Sequence, residues 1–207
     1  MSFFYNFSAF TVRNLFKLLY GIKLYGTENL NFEGPALLAS NHISLCDPPL
    51  IGSCTPFPIH FMAKSELFEN KFFGGMIRAL NAFPVKRGRI DRAALAQAQA
   101  LLERGSRLLM FPEGTRQKSG IMAEARPGAG KIAIENGVPV LPVYVSGANR
   151  LRKLVFSRRH ICICYGQLIE SKGFMAGAPD KERIREFSRK IMDEIKNLKN
   201  KYDNICV

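Results

Sequence analysis

The 207-residue chain carries 30 lysines and arginines against 17 aspartates and glutamates, a formal net charge of +13, and 47% of its residues are hydrophobic. That length and apolar share suit one domain with a sizeable core and exclude general disorder. So large a cationic excess attracts anionic partners, and nucleic acid, anionic membrane and phosphorylated small molecules all qualify.

The first twenty residues are rich in Phe, Leu and Tyr. They lack the early basic region and small-residue cleavage site of a signal peptide. Asn6, Arg13, Asn14 and Lys17 interrupt them, which excludes a bilayer span. From Val12, the apolar residues Val12, Leu15, Phe16 and Leu19 recur at helical spacing, with Arg13, Asn14 and Lys17 on another face. Such a helix either lies in a membrane interface or packs on the protein's own core. Residues 1–24 are therefore set apart as an amphipathic helix, and residues 25–207 as one domain.

Beyond residue 25, short apolar runs alternate with helical patterns, without linker, low-complexity stretch or repeat. Residues 35–40, 58–63, 82–86, 107–111, 138–146 and 160–165 read as buried strands. Asp91 caps an Ala/Leu/Gln helix that ends before Gly105, and residues 127–136 form another helix stopped by Gly137. In the last helix, Ile184, Phe187, Ile191, Ile195, Leu198 and Tyr202 recur every three or four residues under a charged outer face. This alternation predicts a single α/β domain with a mixed, largely parallel sheet flanked by helices. Pro139 and Pro142 predict that the run 138–146 is irregular or lies at a sheet edge.

Cys46, Cys54, Cys162, Cys164 and Cys206 form no CxxC pair, and His42, His60 and His160 are the only histidines. Both facts argue against a metal site and against a disulfide framework. Cys162 and Cys164 read as core residues of one strand, and free thiols suit a reducing compartment such as the cytoplasm.

Two loops carry candidate chemistry. The run 40–48 (SNHISLCDP) closes the first strand, at the kind of position where α/β proteins place their sites. Asp47-Pro48 opens a helix, and Asp47 can fold back to orient His42 and stabilise its imidazolium. Taken in isolation, the same pair reads first as a helix cap and a loop histidine. The run 111–116 (FPEGTR) puts a carboxylate, a hydroxyl, backbone amides and a guanidinium at one strand end. Arg116 can grip a phosphate bidentately, and Glu113 can accept from a hydroxyl or position the arginine. A turn with a surface ion pair is the competing reading. Lys64 and Lys86-Arg87-Gly88 also follow strands, so their cations converge on the edge of Arg116 if those strands share a sheet.

Other chemistries fail on spacing. Around Gly128-Ala129-Gly130-Lys131 a P-loop needs Gly at Ala125 and Ser or Thr at Ile132. There is no G-x-S-x-G, no G-x-G-x-x-G after a strand and no H-E-x-x-H. What remains is a histidine base acting on a hydroxyl substrate that carries an anion.

These blocks resemble the glycerolipid acyltransferase family, the 1-acylglycerol-3-phosphate acyltransferases. Asn41-His42 to Asp47 is similar to the family's Asn-His-x4-Asp signature. Its Phe-Pro-Glu-Gly-Thr-Arg block stands intact at 111–116. Residues 83–88 are similar to its arginine block, with Pro84 as a departure that bears on acyl-chain or acceptor selection. Residues 138–143 are similar to its late Val-Pro-Val block. The resemblance implies transfer of a fatty acyl chain from acyl-CoA or acyl-carrier protein to the sn-2 hydroxyl of 1-acylglycerol 3-phosphate, giving phosphatidic acid. It implies His42 as base, Asp47 as its orienting partner, and Arg87, Gly114 and Arg116 as holders of the acceptor phosphate. Glu113 and Thr115 then shape that site, with Lys64 a further candidate. It implies neither metal nor prosthetic group, since the thioester is already activated.

Lipid substrates in turn imply a peripheral position on the cytoplasmic face of an anionic membrane, through the N-terminal helix and a basic surface. Arg150, Arg152, Lys153, Arg158 and Arg159 belong to that surface. Three alternatives stay open. A different lysolipid such as a lyso-aminolipid is one, and a non-catalytic membrane module is another. A nucleic-acid-binding protein is the third, although no helix-turn-helix or exposed aromatic sheet motif supports it.

Overall fold

The computed structural model describes residues 3–86, 91–117, 119–151, 160–174 and 180–206. Seven strands form one sheet: β1 (Ile22–Tyr25), β2 (Ala36–Ser40), β3 (Ile59–Lys64), β4 (Ala82–Val85), β5 (Arg107–Met110), β6 (Val140–Ser146) and β7 (Ile161–Tyr165). Their order across the sheet is β1-β7-β6-β2-β5-β3-β4. Every neighbouring pair is parallel except β6 with β7. The helices are α1 (Phe3–Tyr20), α2 (Asp47–Ser53), α3 (Lys71–Ala79), α4 (Arg92–Glu103), α5 (Gly128–Asn136) and α6 (Lys181–Cys206). The expected mixed, largely parallel α/β domain is what forms.

Two layers cover the sheet, as buried parallel strands require. On one face α4, α5 and α6 pack Ala98, Ile132, Phe187 and Ile191 against Leu37, Leu108 and Val140. On the other, Leu50 and Ile51 of α2 meet Leu38, Ile59, Leu109 and Leu141, with Phe16 and Tyr20 of α1 at the margin. Asp91 caps α4 by accepting from Ala94 N–H at 3.2 Å, and Gly137 ends α5 in the left-handed region at φ 61°.

Several local expectations give way to tertiary context. The run holding Pro142 is an inner strand, β6, flanked by β2 and β7. Pro142 C=O accepts from Gly166 N–H, one residue past the end of β7, so the reciprocal bond that its missing N–H forgoes falls at the end of that ladder. A Cβ on Gly166 would stand 2.7 Å from the proline ring, so the glycine makes its room. Pro84 does lie in an edge strand, β4, which pairs with β3 alone. α1 ends at Tyr20 and Ile22–Tyr25 is a strand, so the segment boundary expected after residue 24 falls inside the sheet. Cys162 and Cys206 form a disulfide, with Cα atoms 5.7 Å apart, against the expectation of free thiols throughout. A sequence separation of 44 hid a pairing that arises when α6 lays its C-terminus against β7. Cys46, Cys54 and Cys164 are free.

Candidate active site

Because β2 to β6 run parallel, their C-terminal ends share one edge, and the loops after β2 and β5 meet there on neighbouring strands. Asp47 does not cap its own helix. Its Oδ2 turns back, taking His42 Nδ1 at 2.8 Å and the N–H groups of Ile43 and Ser44 at 2.7 Å each. Asp47 is fully buried and His42 nearly so, whereas Asp47 Oδ1 has no hydrogen-bond partner. A carboxylate on Nδ1 leaves Nε2 as the nitrogen that can take a proton from a substrate.

The rest of the loop is clamped from β5 and β6. His42 N–H donates to Glu113 Oε1 at 2.9 Å, and Glu113 Oε2 accepts from Ala123 N–H at 2.8 Å. His42 C=O accepts from Gln117 N–H at 2.7 Å, and the imidazole stacks on Phe111 with centroids 3.9 Å apart. On the other side Asn41 continues the ladder with its side chain: Nδ2 donates to Val145 C=O at 2.9 Å and Oδ1 accepts from Val145 N–H at 2.8 Å. Asn41 and Phe111 belong to the two motifs but carry no assigned role in the sequence, and Gln117, one position past the second motif, is a functional neighbour that sequence reasoning missed.

Glu113 is a correction to the expectation of a substrate-facing carboxylate. It is buried, and both its oxygens are spent on backbone amides rather than on a hydroxyl or on Arg116. Gly114 lies exposed at φ +70°, and a Cβ there would stand 2.7 Å from Arg126 Cδ. The close approach brings Arg126, another cation absent from the sequence reading, to the same loop. Thr115 is exposed and accepts from Gln117 Nε2 at 3.3 Å. Arg116 is half-buried and makes no ion pair among the described residues.

Lys64 stands at the end of β3, two strands and roughly 10 Å from β2, and is tied to Glu66 at 2.8 Å. Lys86 follows β4, with its N–H on Asp91 Oδ2 at 2.8 Å. Arg87, Gly88, Arg152, Lys153, Arg158 and Arg159 lie outside the described residues, while Arg150 is exposed after β6 at the same edge. Among the described residues no three His, Cys, Asp or Glu side chains gather as metal ligands would. The arrangement can abstract a proton from a hydroxyl and offers amides and a guanidinium to an anion one strand away.

Comparison with known proteins fits this geometry. The acyltransferase family matches residues 21–146. Over 202 residues, the chain is 30% identical to the 1-acyl-sn-glycerol-3-phosphate acyltransferase of Bacillus subtilis, covering 97% of this chain and 100% of that protein. The enzyme of the same name from Streptococcus pneumoniae is 30% identical over 164 residues, 78% of this chain and 60% of that one. The crystal structure of the 1-acyl-sn-glycerophosphate acyltransferase of Thermotoga maritima shares the fold. It superposes at TM-score 0.74 over 95% of this chain and 78% of that one, at 24% identity.

Proposed function

The chain belongs to the acyltransferase family, and we propose that it moves a fatty acyl group from a thioester donor, acyl-CoA or acyl-carrier protein, to the sn-2 hydroxyl of 1-acylglycerol 3-phosphate. The buried His42–Asp47 pair at the strand edge carries this reading, at 2.8 Å. As the acceptor oxygen attacks the thioester carbonyl carbon, its proton passes to His42 Nε2, and Asp47 stabilises the imidazolium. The tetrahedral intermediate then expels the thiolate, which takes that proton back. The products are phosphatidic acid and free thiol, with no covalent enzyme intermediate and no metal or prosthetic group required.

Two carbons and an ester oxygen separate the sn-2 oxygen from the phosphorus. A cation one strand from His42 therefore suits the phosphate better than one two strands away. Arg116, with the amides of Gly114 and Thr115, fits that duty better than Lys64, which Glu66 already engages. Arg87 is retained as a phosphate ligand on the resemblance of its block alone.

The protein works, in this reading, peripherally on an anionic membrane at the cytoplasmic face. Phe3, Phe7, Phe10 and Leu18 of α1 are exposed, and Arg13 and Lys17 stand among them. Among the described residues no helix is long and apolar enough to cross a membrane.

The test supplies purified protein with lysophosphatidate and a panel of other lysolipids, using each donor type, and reads the products by lipid mass spectrometry. Phosphatidic acid should form with at least one donor. His42→Ala should cut the rate by about 10²–10⁴-fold, with the melting curve and vesicle binding retained. Near-parental turnover in that variant overturns the mechanism, and preferred acylation of an aminolipid replaces the acceptor.

A further inference from the structure

The large apolar side chains left exposed by this fold are not scattered. Outside α1, eight of them are exposed among the described residues, and only Leu24 and Ile205 lie away from the catalytic edge. Leu45, Leu67, Phe72, Phe73, Met76 and Ile121 belong to the connections that leave β2, β3 and β5 at the edge of His42. The turns at the opposite edge, 54–58, 80–81, 104–106 and 137–139, expose none.

α3 is the clearest case. It packs inward through Gly74 and Ile77, and a Cβ on Gly74 would stand 2.9 Å from the Phe68 backbone. Phe72, Phe73 and Met76, three and four residues apart, share the outward face, and Phe72 is 86% exposed. In a monomer in water, so concentrated a patch marks an interaction surface.

Charge decides its occupant. Residues 64–78 carry Lys64, Lys71 and Arg78 against Glu66 and Glu69, and Lys86, Arg116 and Arg150 flank them at the same edge. The acids beside His42, Asp47 and Glu113, are buried. Apolar rings among exposed lysines match the boundary between acyl chains and anionic headgroups.

We propose that the catalytic edge is itself a membrane-docking face. Phe72 and Phe73, with Leu67, Leu45 and Ile121, enter the acyl boundary of an anionic leaflet, and Lys71 and Lys86 meet its headgroups, independently of α1. The proposal rests on the reading of the acceptor as a membrane lipid. It lets the acceptor hydroxyl reach His42 while the acyl chain stays in the leaflet.

The chain contains no tryptophan, so Phe72→Trp makes a single reporter. On phosphatidylcholine vesicles containing phosphatidylglycerol, its emission should shift to the blue and be quenched by acyl-brominated lipid. Arg104→Trp, exposed at the opposite edge beyond α4, should report water throughout. Leu67→Ser/Phe72→Ser should weaken vesicle partitioning by about 10-fold, with transfer to a short-chain monomeric acceptor unchanged.

A water-like emission from the Phe72→Trp variant on vesicles that retain it overturns the proposal, as does a parent chain that binds no vesicles. A concentration-dependent shift of that emission without vesicles would assign the face to a second copy and also overturn it. Insertion of the reporter together with no transfer to lysophosphatidate supports the docking face while removing the acceptor proposed above.

Discussion

Glu113 is the residue whose role changes most between sequence and structure. In the sequence it is a polar loop residue beside an arginine. In the fold it is a buried carboxylate bridging the N–H groups of His42 and Ala123. In Glu113→Gln the amide nitrogen cannot accept, so one of these buried donors loses its partner, at a cost of about 1–3 kcal/mol. Because Glu113 sets the position of His42 and is closed to substrate, kcat should fall while the KM for the acceptor holds. Arg116→Ala should do the reverse, raising KM more than it lowers kcat. A Glu113→Gln enzyme with raised KM and parental kcat would return this residue to the substrate. The Asp47 ambiguity is also settled at this scale, because its carboxylate binds upstream amides and the imidazole rather than the start of α2.

At the scale of elements, α5 and α6 are held at a distance that only glycine permits. A Cβ on Gly130 would collide with Ser188 Oγ and stand 2.8 Å from Ile184 C=O, so the segment resembling a phosphate loop is a helix-packing surface. Gly130→Ala should destabilise the protein by roughly 1–3 kcal/mol by forcing the helices apart, measured as a lower urea midpoint. An unchanged midpoint would mean that α6 yields freely. Strong periodicity made α4, α5 and α6 legible in the sequence. β1 and α3 were not legible: β1 is four residues with two exposed, paired only along the sheet edge, and α3 holds two glycines in nine residues. β1 is held by β7, with Ile22 opposite Ile161, and local propensity carries no trace of so distant a partner.

For the whole molecule, buried acids set the alkaline limit. Burial, assisted by Asp203, pushes the Cys164 thiol from its ordinary 9.0 up to about 12. Tyr144 and Tyr165 are likewise pushed up by burial. These groups stay neutral in the folded chain but titrate normally when unfolded. Their contribution is therefore complete below about pH 9 and is lost as pH rises through 9–12, by about 1.4 kcal/mol per pH unit for a single group. On the acid side, burial lowers the His60 pKa, so its contribution is present above about 6.5 and is lost as pH falls. Urea midpoints measured across this range should peak between the two windows, and a midpoint that climbs from pH 9 to 11 contradicts the assignment. The net charge of +13 also acts at this scale. On the docking face proposed above, its distribution around apolar rings suits a lipid surface better than nucleic acid.

Much was determined by the sequence alone. Hydrophobic periodicity specified the α/β class and six of the seven strands, since apolar runs bounded by turn residues have few other ways to leave water. The two loop motifs specified the residue types of the site. Only the tertiary structure decided which strands are neighbours, and with that which groups meet. It set β5 beside β2, turned Glu113 inward onto His42, stacked Phe111 on the imidazole and brought Cys206 to Cys162. The reason is physical: periodicity records which face of a segment is buried, whereas strand order follows from loop reach and helix packing across the whole chain. A contact between residues 71 positions apart, as for His42 and Glu113, leaves no local signature in either segment.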